Sequence, residues 1–518
     1  MKDSFRQSMA LFHSWVGLLP GWLLFVIFLF GTTAFFQHEI NAWMRPELLP
    51  GRVSRQGLEA ADRILRERGA GAQSWSLTFP EMRGGDGLTV EWLPQGAGRR
   101  GGMDVVLDPA TGREVTVRET RGGYFLYRFH FDLHYMPVAW ARYIVSVAAL
   151  AMLVAILSGV VTHKKIFADF FLLRFGKGQR SWLDAHNVTG VLALPFFLMI
   201  TYTGLVTLMF MLMPWAISAT FPSEDAFYEA AYPEPKASPD DTAHAAVLPV
   251  PRLVSIAERH WQGRAPSYIS VERPGMMSAT ATLYPSRREW RDPATPLHLN
   301  AVTGAVSPVA ENQGSASATR EVMVDLHRGW FARPILRWFY FLSGIGGTVI
   351  VATGLVLWTV KRRVKLADPT RPHFGFRLVE RLNIGVIVGS AIGIAVYFLA
   401  NRLLPVGMPH RADWEVNALF VAWGAAAIWA TARPTRRAWI ETLLIGAALY
   451  ALIPVVNAVA TERGTFASLL AGDWVFVGFD LVVIATSGAC ALAAYRVAHH
   501  KARTPTRRRQ MASFGATA

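Results

Sequence analysis

Apolar blocks long enough to cross a bilayer dominate this sequence. They fall at 15–36, 143–162, 188–215, 338–360, 382–404, 416–431, 442–460 and 474–495. About 20 apolar residues in a helix cover the roughly 30 Å hydrocarbon core, so the blocks predict eight transmembrane helices, the sixth short and the seventh interrupted by Pro454. Of 518 residues only 17% are charged and 52% are hydrophobic, against about 25% charged in soluble domains. Disordered, fibrous and ordinary soluble chains are thereby excluded. The first block is too long for the core of a cleaved signal peptide and has no small-x-small site before Gln37. A single cysteine, Cys490, excludes an intramolecular disulfide and a cysteine metal cluster.

The net charge of +15 invites a nucleic-acid reading, but its placement argues against one. With the N-terminus inside, the inner segments 1–14, 163–185, 361–381, 432–441 and 496–518 hold 23 of the 52 Lys and Arg and only six acids. The long segment 39–138 is neutral. The excess charge is a topology signal and a contact with anionic lipid. Both termini are expected on the inner, cytoplasmic side, and no nucleic-acid partner is expected.

Two polar stretches, 39–138 and 216–325, are expected outside as small α+β domains. In the first, helical spacing over 57–69 is followed by strand-like runs at 74–79, 88–92 and 103–107; in the second, a helix over 250–262 precedes strands at 267–272, 278–284 and 295–299. Each ends in a similar hairpin, Asp108-Pro109-Ala110-Thr111-Gly112 and Asn300-Ala301-Val302-Thr303-Gly304, where Asp or Asn opens a turn that Gly closes. The chain therefore reads as an internal repeat, span–domain–span twice over, followed by four more spans. The expected divisions are 1–38, 39–138, 139–215, 216–325, 326–365, 366–497 and a basic tail at 498–518.

Histidines gather where spans end. His13, His163, His186 and His373 fall on the inner side; His38, His130, His134 and His327 fall on the outer side. Two layers of imidazoles on different helices suit a b-type haem held by two axial nitrogens, with small residues such as Gly17, Gly21, Gly31, Gly190, Gly204, Gly344, Gly347 and Gly354 admitting the porphyrin edge. The competing reading is that these histidines only meet the interface and the glycines only pack helices. Zinc is a weaker use, since no His-Glu-x-x-His run occurs.

Several runs resemble the PepSY-associated transmembrane family of iron-regulated inner-membrane proteins, which includes ferric-siderophore reductases. They are His13-Ser14-Trp15-Val16-Gly17-Leu18, Phe36-Gln37-His38-Glu39-Ile40, Phe129-His130-Phe131-Asp132-Leu133-His134, Ser158-Gly159-Val160-Val161-Thr162-His163-Lys164-Lys165, Trp182-Leu183-Asp184-Ala185-His186-Asn187 and Leu326-His327-Arg328-Gly329. The resemblance covers about 1–365. The expected fold is an all-α polytopic membrane protein of about eight helices, in which the resemblance implies a four-helix haem-binding core and two PepSY-like periplasmic domains, while the four C-terminal helices fall outside the family pattern. The resemblance implies two haem b groups, an inner one held by His13 or His163 with His186 and an outer one by His130 or His134 with His327. Electrons from a membrane quinol or a cytoplasmic reductase would reach a ferric siderophore or other periplasmic ferric chelate. Alternatives are a PepSY protein that binds peptides or restrains a periplasmic protease, and a transporter.

No NAD or FAD site is readable, because Gly344-Ile345-Gly346-Gly347 lies inside a span. Trp43, Trp140 and Trp330 are available to a large chelate. Asp184 reads either as a group orienting a ligand or as a helix cap. Asp480, the one acid well inside a block, reads as reaching water at the outer interface, with a proton or quinone contact as the alternative.

Overall fold

A computed structural model describes residues 4–48, 51–80, 87–98, 101–163, 173–174, 178–231, 243–286, 295–307 and 314–500. The Arg507–Arg509 part of the expected basic tail lies outside these residues.

The chain opens with α1 (Phe5–Leu18), α2 (Gly21–Thr33) and the short α3 (Gln37–Met44). The block expected as one helix over 15–36 is thus interrupted, because Pro20 has no N–H to continue the ladder and crowds the preceding turn. The first repeat follows as α4 (Arg55–Arg68), β1 (Ser74–Thr78), β2 (Leu88–Leu93) and β3 (Met103–Leu107), then α5 (Gly122–Asp132) and the long α6 (Val138–Thr162). The second half begins with α7 (Gln179–Leu192) and α8 (Leu194–Thr207). These two helices meet at a 68° bend, so the single span expected at 188–215 is corrected to a broken one. Pro195, just past the break, accounts for it as Pro20 does for the first. Short helices α9 (Met209–Leu212), α10 (Pro214–Ser218) and α11 (Glu224–Ala231) lead to the second repeat, α12 (Val250–His260), β4 (Pro266–Glu272), β5 (Thr280–Pro285) and β6 (Leu297–Asn300), and then to α13 (Ser315–Arg328) and α14 (Pro334–Arg363). The C-terminal group is α15 (Phe374–Leu403), α16 (Arg411–Ala432), α17 (Thr435–Ala460), α18 (Thr465–Leu470) and α19 (Trp474–Ala498). Pro454 is accommodated inside α17. Among the described residues seven helices are long and apolar enough to cross a membrane, with α7–α8 as an eighth if the bent pair is one span.

The two repeats share one antiparallel sheet, ordered β3-β2-β1-β4-β5-β6. The order is palindromic about the β1–β4 pair, where Ser76 faces Ser270. Alternation drives one face inward: Leu77, Leu88, Val90, Ile269, Val271 and Leu283 join Ala61, Leu65, Leu253 and Ala257 of α4 and α12 in a single core. The two hairpins match in detail. Asp108 accepts from the N–H groups of Ala110 and Thr111 and the Thr111 hydroxyl. Asn300 does so from Val302, Thr303 and the Thr303 hydroxyl. Gly112 and Gly304 close them at φ +69° and +75°, a conformation that costs glycine nothing.

The C-terminal helices join the core through α15, which packs on α2: Asn383 accepts from the Trp22 indole at 2.9 Å and donates to the Leu355 carbonyl at 3.1 Å. Gly385, Gly389 and Gly393 let α16 close on α15; a Cβ at Gly389 would come within 2.9 Å of Trp423. At the sheet-side end a buried polar cluster ties the two parts. Arg411 pairs with Glu415, which also accepts from Thr120 at 2.5 Å and from Asn401 at 2.8 Å. Arg118 donates to Glu47 and to the Asn401 carbonyl. Arg118, Arg411 and Glu415 are buried but paired and hydrogen-bonded, the condition under which burial is tolerated.

Candidate functional site

Each half supplies two histidines, and three of the four rest in the same cradle on a neighbouring helix. The Nδ1 of His13 on α1 donates to the Ala155 carbonyl of α6 at 2.9 Å, with the Ser158 hydroxyl at 3.2 Å. His186 on α7 donates to the Ile350 carbonyl of α14 at 3.0 Å, with the Thr353 hydroxyl at 3.4 Å. His327 on α13 donates to the Ile200 carbonyl of α8 at 2.9 Å, with the Thr203 hydroxyl at 3.3 Å. One turn further on each helix is a glycine that the imidazole covers. A Cβ at Gly159, Gly354 or Gly204 would come within 3.2, 3.1 or 2.9 Å of the histidine Cε1. The cradle is therefore a carbonyl at position i, a hydroxyl at i+3 and a glycine at i+4.

The fourth histidine departs from this plan. His130 on α5 lies over Gly31 of α2, 3.6 Å from a Cβ placed there. Its Nδ1 bonds the Tyr127 carbonyl of its own helix, and Phe30 stands where the hydroxyl would be.

A carbonyl can only accept, so each of the four Nδ1 atoms carries the proton. In a neutral imidazole the lone pair is then on Nε2. Among the described residues none of these Nε2 atoms has a hydrogen-bonding partner. A ring held by Nδ1 on a backbone oxygen, with Nε2 free, is the usual second contact of a metal-ligating histidine.

The halves bring these residues together in pairs. His13 and His186 face each other with ring centres 6.3 Å apart and planes 71° apart. His130 and His327 are close enough to interact electrostatically. Two imidazoles sharing one metal through Nε2 have ring centres about 6.4 Å apart, from about 2 Å per metal–nitrogen bond and about 1.2 Å from each nitrogen to its ring centre. The inner pair fits that spacing. No three His, Cys, Asp or Glu side chains converge among the described residues, which disfavours zinc.

The two remaining site candidates lie elsewhere. His163 caps α6, and its Nε2 is 2.9 Å from the Asn187 side-chain amide, so its lone pair is already used. His134 follows the end of α5, where Leu133 at φ +51° turns the chain. Its ring lies parallel to Phe420 of α16 at 5.7 Å and 6°.

Three other expectations are corrected. Asp184 does not cap α7: it lies within the helix, and Arg174 binds it with two side-chain bonds, at 2.8 and 2.9 Å. Asp480 does not reach water; its side chain is buried and accepts from Thr465 at 2.5 Å. Trp43 is fully buried between Phe479 and Arg402 and is closed to a chelate, whereas Trp140 and Trp330 are exposed. Reasoning from the sequence also passed over the hydroxyls of Ser158, Thr203 and Thr353. The signal was present as Ser158-Gly159, Thr203-Gly204 and Thr353-Gly354.

A polytopic membrane protein with histidine pairs built across an internal repeat is the class that fold and site define. The family model described as the PepSY-associated TM region matches residues 10–361, and the chain belongs to that family. A relative, the uncharacterized protein PA4219 of Pseudomonas aeruginosa, is 24% identical over 311 residues, 57% of this chain and 76% of the relative. Helices α15–α19 lie beyond the matched region.

Proposed function

We propose that the chain is a b-type haem protein of the bacterial inner membrane. It carries electrons from a quinol or a cytoplasmic reductase to a periplasmic ferric chelate such as a ferric siderophore. The supporting observation is the inner pair: two histidines from different halves, 6.3 Å apart, each with Nδ1 fixed on a carbonyl. His13 with His186 would hold the inner haem, and His130 with His327 the outer one. Haem, when bound, supplies reversible one-electron exchange at iron. The chain's own work is positional. The carbonyls of Ala155, Ile350 and Ile200 set the tautomer and ring orientation, and Gly159, Gly354 and Gly204 let each ring approach its neighbouring helix. Asn187 withdraws His163 from competition.

Orientation follows from the basic inner segments, which put the sheet in the periplasm. Labelling exposed Thr78→Cys and Thr370→Cys variants in a Cys490→Ala background tests it: Thr78 reacts in intact spheroplasts and Thr370 only after lysis. The reverse pattern overturns the orientation. Pyridine haemochromogen analysis of protein expressed with ample haem tests the cofactor. Two haems per chain are expected, and fewer than one refutes the reading.

A further inference from the structure

An apolar groove runs along the seam where α16 meets the family core. It is shallow and largely open at the surface, offers about 480 Å³, and is lined by Leu23 and Val26 of α2, Phe129 of α5, His134, and Phe420, Trp423 and Gly424 of α16, among others. We propose that this groove binds the headgroup and first isoprene units of a membrane quinone or quinol.

Three features favour that occupant over an acyl chain. First, the wall is a ladder of flat rings. His134 lies parallel to Phe420 at 5.7 Å, and Phe420 to Trp423 at 6.2 Å and 13°. The Trp423 indole is pinned by donation to the Gly385 carbonyl at 2.8 Å. A planar quinone gains from parallel aromatic faces, and a saturated chain does not. Second, one polar group stands at one end. His134 is exposed, and among the described residues no hydrogen bond occupies either ring nitrogen. An imidazole N–H there meets a quinone carbonyl, and few well-placed polar groups in an otherwise apolar site are the usual pattern. Third, the groove is open where packing does not require it to be. A Cβ at Gly424 would meet nothing within 4 Å, although glycine inside a helix costs about 0.5–1 kcal/mol against alanine. From Phe420 to Ala427 the groove extends about 10 Å along α16, room for the start of a prenyl tail.

Phe129 lines the groove and precedes His130 in the chain. The site therefore adjoins the outer histidine pair, and a redox role for it rests on the haem reading above. Oxidation of one quinol yields a quinone, two electrons and two protons; a haem held by His130 and His327 would accept the electrons one at a time, and the protons leave to water at the His134 end. Binding itself does not depend on haem.

The test is photolabelling of the full chain, in nanodiscs of native lipid, with a short-chain azidoquinone, together with mass-spectrometric quinone content. Labels are expected on peptides covering 129–136 and 420–427, competed by excess unlabelled short-chain quinone. Gly424→Leu projects into the groove from a position whose Cβ meets no atom within 4 Å, and His134→Leu changes an exposed turn. Each should lower labelling and bound quinone at least fivefold with haem content unchanged. Gly478→Leu, at another open helical glycine, should change neither. Equal labelling in Gly424→Leu and the parent, or a groove holding phospholipid but no quinone, overturns the proposal. Quinone binding in a chain that proves to lack haem would refute the haem reading and leave this one standing.

Discussion

In the second half of the core, His327 rests on a carbonyl, a hydroxyl and a glycine of α8; in the first half its counterpart His130 has only Gly31 of α2 and turns to its own helix for a carbonyl. Phe30 replaces the hydroxyl because that side of α2 is where the C-terminal helices pack. Its ring meets Phe129 at 4.6 Å and Trp423 of α16 at 6.5 Å. α8 carries no such load and keeps Thr203. The comparison separates what the plan demands from what it tolerates losing: glycine and a carbonyl-bound Nδ1 occur all four times, and the hydroxyl three times. It also shows that neither half is sufficient. Each histidine pair takes one member from each half, and the halves meet both in the palindromic sheet and where α14 packs on α2 and α6 on α8.

The largest expected effect comes from removing one histidine of each pair. His186→Ala should lose the inner haem and His327→Ala the outer one, each falling from two haems per chain to about one. The remaining haem should stay low-spin, and electron flow to an external ferric chelate should stop in His327→Ala. An external reductant should still reduce the outer haem of His186→Ala. The reasoning is that the pairs lie at different ends of a roughly 30 Å hydrocarbon layer, so neither can replace the other. Unchanged haem content, spin state and midpoint potentials in both variants would sink the assignment.

Adding a methyl group beneath each ring gives a graded test. Gly204→Ala should disturb its histidine most, then Gly354→Ala and Gly159→Ala, since the added Cβ would lie 2.9, 3.1 and 3.2 Å away. Gly31→Ala, at 3.6 Å, makes an ordinary contact and should be neutral or slightly stabilising through helix propensity. The low-spin haem fraction across the four variants checks the order. A Gly31 variant as damaged as the Gly204 one would break the comparison between halves. Smaller still, Thr203→Val keeps the volume and removes the hydroxyl, at about 1 kcal/mol for one hydrogen bond. Its unfolding midpoint should drop slightly, and Thr203→Ser should restore it.

Much of this was legible beforehand. The strand runs, the repeat and the hairpins were readable because alternation and turn chemistry act over a few residues. The six histidines were readable as candidates, but their partners were not. His163 and His13 look alike in sequence; they differ in having Asn187 beside one and the Ala155 carbonyl beside the other, and both are contacts between helices. The breaks at Pro20 and near Pro195 were hidden by hydropathy, which records how apolar a block is and not whether it is straight. The buried Arg411–Glu415–Asn401 cluster was hidden because a charge at a helix end reads as exposed until another element covers it.

The smallest predicted difference lies in the sheet, where the halves match in geometry and differ by one ionisable group. Asp108 and Asn300 accept the same three bonds in their turns, but only Asp108 titrates. The Thr111 hydroxyl and backbone N–H hold its carboxyl below the usual carboxylate range. A group whose folded pKa is depressed contributes stability above its unfolded value, about 3.9, and loses it as pH falls. The first hairpin should therefore loosen in acid while the second does not. Asp108 is largely solvated and an exposed interaction is worth under about 1 kcal/mol, so the protection factor at Thr111 should fall by no more than about fivefold between pH 6 and pH 3. Hydrogen exchange read at Thr111 and Thr303, corrected for the intrinsic rate, measures both turns in one molecule. Asp108→Asn should abolish the difference between them, and Asn300→Asp should give the second turn the same acid response. Equal loss of protection at both turns in the parent would show that acid opens the shared sheet as a whole, and that this carboxyl does not distinguish the halves.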